Sequence, residues 1–179
     1  MPSKLSKVTK RVTKKKGSKI NALHENSRDA RRLRRAGARD ERVANMKATK
    51  QRTNLPWLER IAFFQDNLPD TLHPLNMEEI KDLVKQFLQR HDEELSALKG
   101  DRRSGRPAST RQSLLEQAVK AETQEFESGF WLPNLQDEET LEKLDQWKGL
   151  WLGLGTLRFV RVQKDGEVKE SQFPPRGAS

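Results

Sequence analysis

Residues 76–100, NMEEIKDLVKQFLQRHDEELSALKG, carry the clearest helical signal in the chain. Met77, Ile80, Leu83, Val84, Phe87, Leu88, Leu95 and Leu98 recur at the spacing of one helix face. Asn76 followed three residues later by Glu79 has the pattern of a capping box, and Gly100 supplies the stop. The stretch therefore reads as one amphipathic helix that must bury its stripe against other helices.

Its neighbours supply them. Upstream, Leu55, Leu58, Ile61, Ala62 and Leu68, with Trp57, Phe63 and Phe64, predict a short helix with Pro56 in its first turn. Downstream, Ser109 with Gln112 is a second capping pattern, opening a helix through Leu115, Ala118, Val119 and Phe126 to the Ser128-Gly129 stop. Residues 130–135, FWLPNL, are too apolar for a free loop and should fold back onto the helices. Asp137 caps a fourth helix, Glu138 to Lys148, with acids in its first turn, where the helix dipole favours them. Beyond the glycines at 149, 153 and 155, Thr156–Val162 predicts a strand that turns at Lys164-Asp165-Gly166 into Glu167–Ser171. The expected fold is all-α: a small helical bundle over 54–152, a basic N-terminal helical arm over 1–53, and an extended or β-hairpin segment over 153–179. About a hundred residues suffice for a core that stands alone.

Charge separates the arm from the rest. Residues 1–53 hold 18 Lys and Arg against 4 acids, and residues 54–179 hold 17 against 22, so a net +14 and a net −5 make up the formal +9. Residues 1–19 have almost nothing to bury and read as disordered when free. From about His24 to Arg52 the composition favours helix, but Ala30, Leu33, Val43 and Met46 form too thin a stripe to dock on a core. A polyanion is the implied partner. The run Lys14-Lys15-Lys16 and the arginines at 31, 32, 34 and 35 would serve nuclear import, but the basic residues extend over some fifty positions. Arg28, Arg31, Arg32, Arg34, Arg35, Arg39 and Arg42, with Lys47, suit phosphate oxygens, since the guanidinium binds them bidentately. Arg102, Arg103, Arg106 and Arg111 form a second basic patch, for which ordinary loop charge is the competing reading. No zinc finger, RNP-type strand or basic zipper is present, which points to backbone and shape contacts on structured RNA.

Catalysis finds little support. His24, His73 and His91 have no nucleophile pattern nearby and lack zinc-ligand spacing. Acid runs such as Asp92-Glu93-Glu94 suit solvated faces, and the spaced glycines at 149–155 have no preceding strand or following Lys-Ser/Thr. The chain has no cysteine, so disulfides and thiolate metal sites are excluded. No run approaches the ~18 apolar residues of a membrane span. Neither signal peptide, cofactor, metal nor small-molecule substrate is expected. Trp131 and Trp147 read as core residues rather than base-stacking platforms, and Trp151 stays open.

The order of motifs carries a resemblance. Residues 102–112, RRSGRPASTRQ, then Phe126, Gly129-Phe130, Pro133, Leu135 and Trp147, then residues 156–161, TLRFVR, resemble fungal members of the translation machinery-associated protein 16 family. His24 and Ser27-Arg28-Asp29-Ala30 resemble the element heading that family's basic helix, with Glu25 and Asp29 replacing its Pro and Lys. The resemblance implies a nuclear (nucleolar and nucleoplasmic) factor without enzymatic activity. Such a factor rides on precursor large (60S) ribosomal subunits late in assembly, accompanying them toward the cytoplasm. The expectation is a monomer whose arm, with Arg102, Arg103, Arg106, Arg111, Arg158 and Arg161, binds ribosomal RNA while the bundle packs on RNA, ribosomal proteins and other assembly factors. The alternative is a chromatin- or DNA-associated protein that binds duplex backbone without sequence choice.

Overall fold

A computed structural model of the chain describes residues 3–17, 23–69, 73–103 and 105–175. Residues 1, 2, 18 and 19 of the segment read as disordered lie outside the described residues. Six helices are present among them: α1 (Lys4–Lys16), α2 (Arg28–Asp66), α3 (Met77–Gln89), α4 (Asp92–Gly100), α5 (Thr110–Ser128) and α6 (Glu138–Asp145). Three strands, β1 (Phe130–Pro133), β2 (Phe159–Val162) and β3 (Val168–Ser171), form one antiparallel sheet in the order β1-β2-β3. The chain divides into two compact units, Met1–Leu55 and Pro56–Ser179, and the division falls within α2.

The second unit holds the main core. Ile61 and Phe64 from α2, Ile80, Val84 and Phe87 from α3, Phe126 from α5 and Leu141 and Leu144 from α6 close around the sheet. All four residues of β1 are buried, and Trp131 stacks on Phe159 of β2 with ring centroids 4.3 Å apart. A 3-10 turn at Trp151–Thr156 brings in Leu154. Residues 153–162, expected to begin an extended segment, thus contribute Leu154, Leu157, Phe159, Val160 and Val162 to the same core. The hairpin expected from the Lys164-Asp165-Gly166 turn is present, with Phe159 opposite Ser171 and Val162 opposite Val168. Gly166 sits at φ 97°, a conformation the turn requires and a side chain resists.

Four expectations are corrected. The all-α reading becomes mainly α, because residues 130–133 form a strand, Phe130 pairing with Val162 and Pro133 with Phe159. α5 ends at Gly129, whose φ of 137° swings the chain directly into β1. The helix expected over 76–100 is two. Arg90 breaks it: its guanidinium lies 3.6 Å over the Phe87 ring, donates to the Phe87 carbonyl at 2.7 Å and grips Glu122 of α5 through two 2.7 Å bonds. The separate helix expected to open at Pro56 is the last part of α2. One missing backbone donor costs about 3 kcal/mol, and burial of Ile61 and Phe64 beyond it offsets that. Residues 3–17, read as disordered when free, carry a helix, for reasons that belong to the basic unit.

Two of the three predicted caps form through side-chain hydrogen bonds, while the Asp137 side chain makes none to the helix backbone. Glu79 accepts the Asn76 N–H at 2.7 Å, Ser109 accepts the Gln112 N–H at 3.1 Å, and Asp137 precedes α6, which ends at Asp145, three residues short of the expected Lys148.

Candidate nucleic-acid interface

Unit one is a helical hairpin made almost wholly of like charge. α1 carries seven Lys and Arg and no acid. It starts on Ser3, whose hydroxyl accepts the Ser6 N–H at 3.0 Å. Its first turn is then closed from α2: Asp40 accepts the N–H groups of Lys4 at 3.2 Å and Leu5 at 2.7 Å. At the other end Lys16 lies 3.9 Å from Asp29. Contact with Asp40 at its start and Asp29 at its end means that α1 runs antiparallel to α2. Val12 and Ala36 are the buried hydrophobic residues described in this unit. Carboxylates of α2 thus meet the cationic helix α1 at both of its ends.

The backbone N–H of Leu5 is the main reason the Asp40 carboxyl lies below its ordinary value of 3.8. A depressed carboxylate contributes stability above its unfolded pKa and loses it as pH falls through the folded one. Acidification below about pH 4 should therefore lower the protection factors of the Lys4 and Leu5 amides, taken against their intrinsic exchange rates at each pH. An Asp40→Asn variant should show fast exchange already at neutral pH. Unchanged protection of Leu5 in that variant would rule out the cap.

With one side of α2 taken by α1, its arginines sort themselves. Arg28, Arg32, Arg35, Arg39 and Arg42 follow one another at intervals of four and three residues, which puts them on a single helix face about 21 Å long. All five are exposed. Arg32 lies 3.8 Å from Asp29, Arg42 donates to the Ala38 carbonyl at 3.2 Å, and Arg34, off this face, pairs with Glu25. Arg31, Lys47, Lys14, Lys15 and Lys16 are exposed as well. The face is a row of guanidinium groups matched in kind to a row of phosphates.

The second patch divides differently. Arg111 is paired with Glu94 of α4, and Arg158 lies 3.6 Å from Asp137 and 3.4 Å from Glu139. Lys143 beside Glu139 is the first cause that holds its carboxyl below the usual range, with Arg158 adding to it. Arg161 sits half-buried on β2, its Cβ 3.3 Å from where a side chain on Gly129 would begin. Arg102, Arg103 and Arg106 stand together in the loop between α4 and α5, around a cleft of about 380 Å³. The structure thus gathers part of the expected site on α2, gathers three arginines at this loop, and leaves Arg111 and Arg158 in surface ion pairs.

One basic residue went unrecognised as a structural element. Arg60 is 5% exposed and lies in the core, bonded to both Glu125 oxygens at 2.8 Å. The available signal was its place on the apolar face, between Trp57 and Phe64. His91 precedes α4 in the helix break, half-buried. Trp131 is fully buried and Trp147 packs on the core from its edge; Trp151, half-buried, rests 4.8 Å from Phe173. Among the described residues no three His, Cys, Asp or Glu are grouped to hold a metal, and no helix is long and apolar enough to cross a membrane.

Fold and surface together define a mainly helical protein whose positive charge is concentrated in one helical unit. Residues 19–164 match the family model described as translation machinery-associated protein 16. The chain is 37% identical to the Saccharomyces cerevisiae protein of that name over 167 residues, 91% of this chain and 93% of the relative. It is 30% identical to the Danio rerio protein of the same name, over 80% and 77% of the two chains. The Mus musculus protein is 25% identical over 87% and 73%. This chain belongs to the translation machinery-associated protein 16 family.

Proposed function

We propose that this protein is a non-catalytic ribosome biogenesis factor that binds the precursor large subunit through ribosomal RNA and ribosomal-protein contacts during late nuclear assembly. The observation that carries the reading is the exposed arginine row on α2, which offers phosphate-binding forks with no base-reading fold around them. The relatives' name, association with the translation machinery, makes a ribosomal particle the natural source of that RNA. The precursor stage and the nuclear location are part of the proposal, taken from what the family resemblance implies. Ribosomal proteins would be met by the second unit, where Leu150 and Leu152 are 65% and 90% exposed.

The test is sedimentation of a nuclear extract on a sucrose gradient. The factor should migrate with large-subunit precursors, survive DNase and move to the top after RNase. A pellet that stays with chromatin whatever RNase is added would sink the proposal and favour binding to DNA.

A further inference from the structure

The loop between α4 and α5 holds a cationic cleft that the arginine row does not explain. Gly105, at φ 82°, lets the loop turn back, and the Arg106 N–H donates to the Arg103 carbonyl at 3.1 Å. Both side chains border the cleft, and both residues are exposed. Among the described residues neither guanidinium has a carboxylate within ion-pair distance, although Arg111 nearby has one. Arg102 is partly engaged, since it and Lys99 help keep the Glu116 carboxyl low behind the hydrogen bond from Gln112. Asp101 is the acid on the rim. Leu98 and Pro107 give the cleft an apolar wall. The start of α5 is not the attraction, because Ser109 already caps it.

We infer that Arg103 and Arg106 clamp one phosphodiester of a structured RNA in this cleft, its ribose lying against Leu98 and Pro107. Two planar forks facing one small anion suit the two non-bridging oxygens of a phosphodiester, and a carboxylate side chain brings no sugar to the apolar wall. This rests on RNA being the partner, and it adds a point of fixed geometry to the row of contacts along α2. The cleft lies in the second unit and the row in the first, so each fixes its own part of the chain.

The experiment uses the full chain and a structured RNA hairpin from the large-subunit RNA, with affinity measured over a range of KCl. An Arg103→Gln/Arg106→Gln variant should bind roughly tenfold more weakly at about 0.1 M salt, and its log–log salt slope should fall by about 1, as expected for one phosphate. The Arg103→Lys/Arg106→Lys variant should keep the slope and still lose several-fold in affinity, since ammonium groups do not reproduce the fork. Full binding by the Lys variant would reduce the cleft to diffuse charge and overturn the clamp. So would an unaltered affinity and slope in the Gln variant while the wild type binds steeply. A wild type that shows no salt-dependent binding removes the RNA reading itself, and the clamp with it.

Discussion

Glu125→Ala should cost the second unit about 3 kcal/mol or more, a large part of the ~5–15 kcal/mol that domains of this kind possess. The loss comes from what is left behind. Arg60 is held by two 2.8 Å bonds to Glu125 and one of 3.2 Å to the Trp131 carbonyl, with its guanidinium 4.1 Å over the Phe130 ring and 4.8 Å over that of Trp57. Glu125 also accepts the backbone N–H of Trp131 at 3.2 Å. Removing the carboxylate strands a charge in a setting where the Arg60 side chain is 6% exposed. The Glu125 side chain is 18% exposed, which admits some water and places the effect at the lower end of the usual range. The pair itself need not stabilise: Arg60 Nε has no hydrogen-bond partner among the described residues, so its desolvation is incompletely offset. An Arg60→Met/Glu125→Gln double variant should therefore recover at least half the loss, because the introduced amide oxygen can still accept the Trp131 N–H. Urea unfolding followed by tryptophan fluorescence measures both. A single-variant loss below ~1 kcal/mol, well under the range for a broken buried pair, would show that the site relaxes around the bare arginine.

Changing Arg28, Arg35, Arg39 and Arg42 together to Gln should weaken binding to structured RNA by about a thousandfold or more at ~0.1 M salt. Each lost phosphate contact removes ~0.9 from the salt slope, so four should flatten it by between about 3 and 4. Glutamine is a good helix former and all four positions are exposed, so the helical signal should survive. The control is Arg111→Gln/Arg158→Gln, which removes two cations already occupied by Glu94, Asp137 and Glu139. That variant should change affinity less than ~3-fold, since its phosphate contacts would have to displace carboxylates first. Equal losses per charge in the two variants would mean that net charge, and not the row on α2, does the binding.

The sequence made the helices easier to read than the joints between them. Caps at Asn76 and Ser109 and the Gly166 turn are local chemistry, and they formed where their residues stood. β1 was hidden because four apolar residues buried on both faces show no alternation, and its partner β2 begins 26 residues after β1 ends. The break at Arg90 and the Arg60–Glu125 pair depend on partners 32 and 65 residues away, which no local pattern records. α1 was missed for a similar reason. Its thin apolar face looks insufficient alone and becomes adequate only once Asp40 of α2 closes its first turn. The arginine row was legible in its spacing, but which side of α2 it occupies relative to α1 was not.

The hairpin of like-charged helices gives dissolved ions two opposed effects. Neighbouring helix axes lie ~8–10 Å apart, close to the Debye length at ~0.1 M, so added salt relieves repulsion between α1 and α2 and favours the closed form. The same ions compete for the phosphates and weaken association. A plot of log affinity against log salt for the whole protein should therefore curve. It stays shallow where RNA must also close the hairpin, and steepens once ions have closed it already.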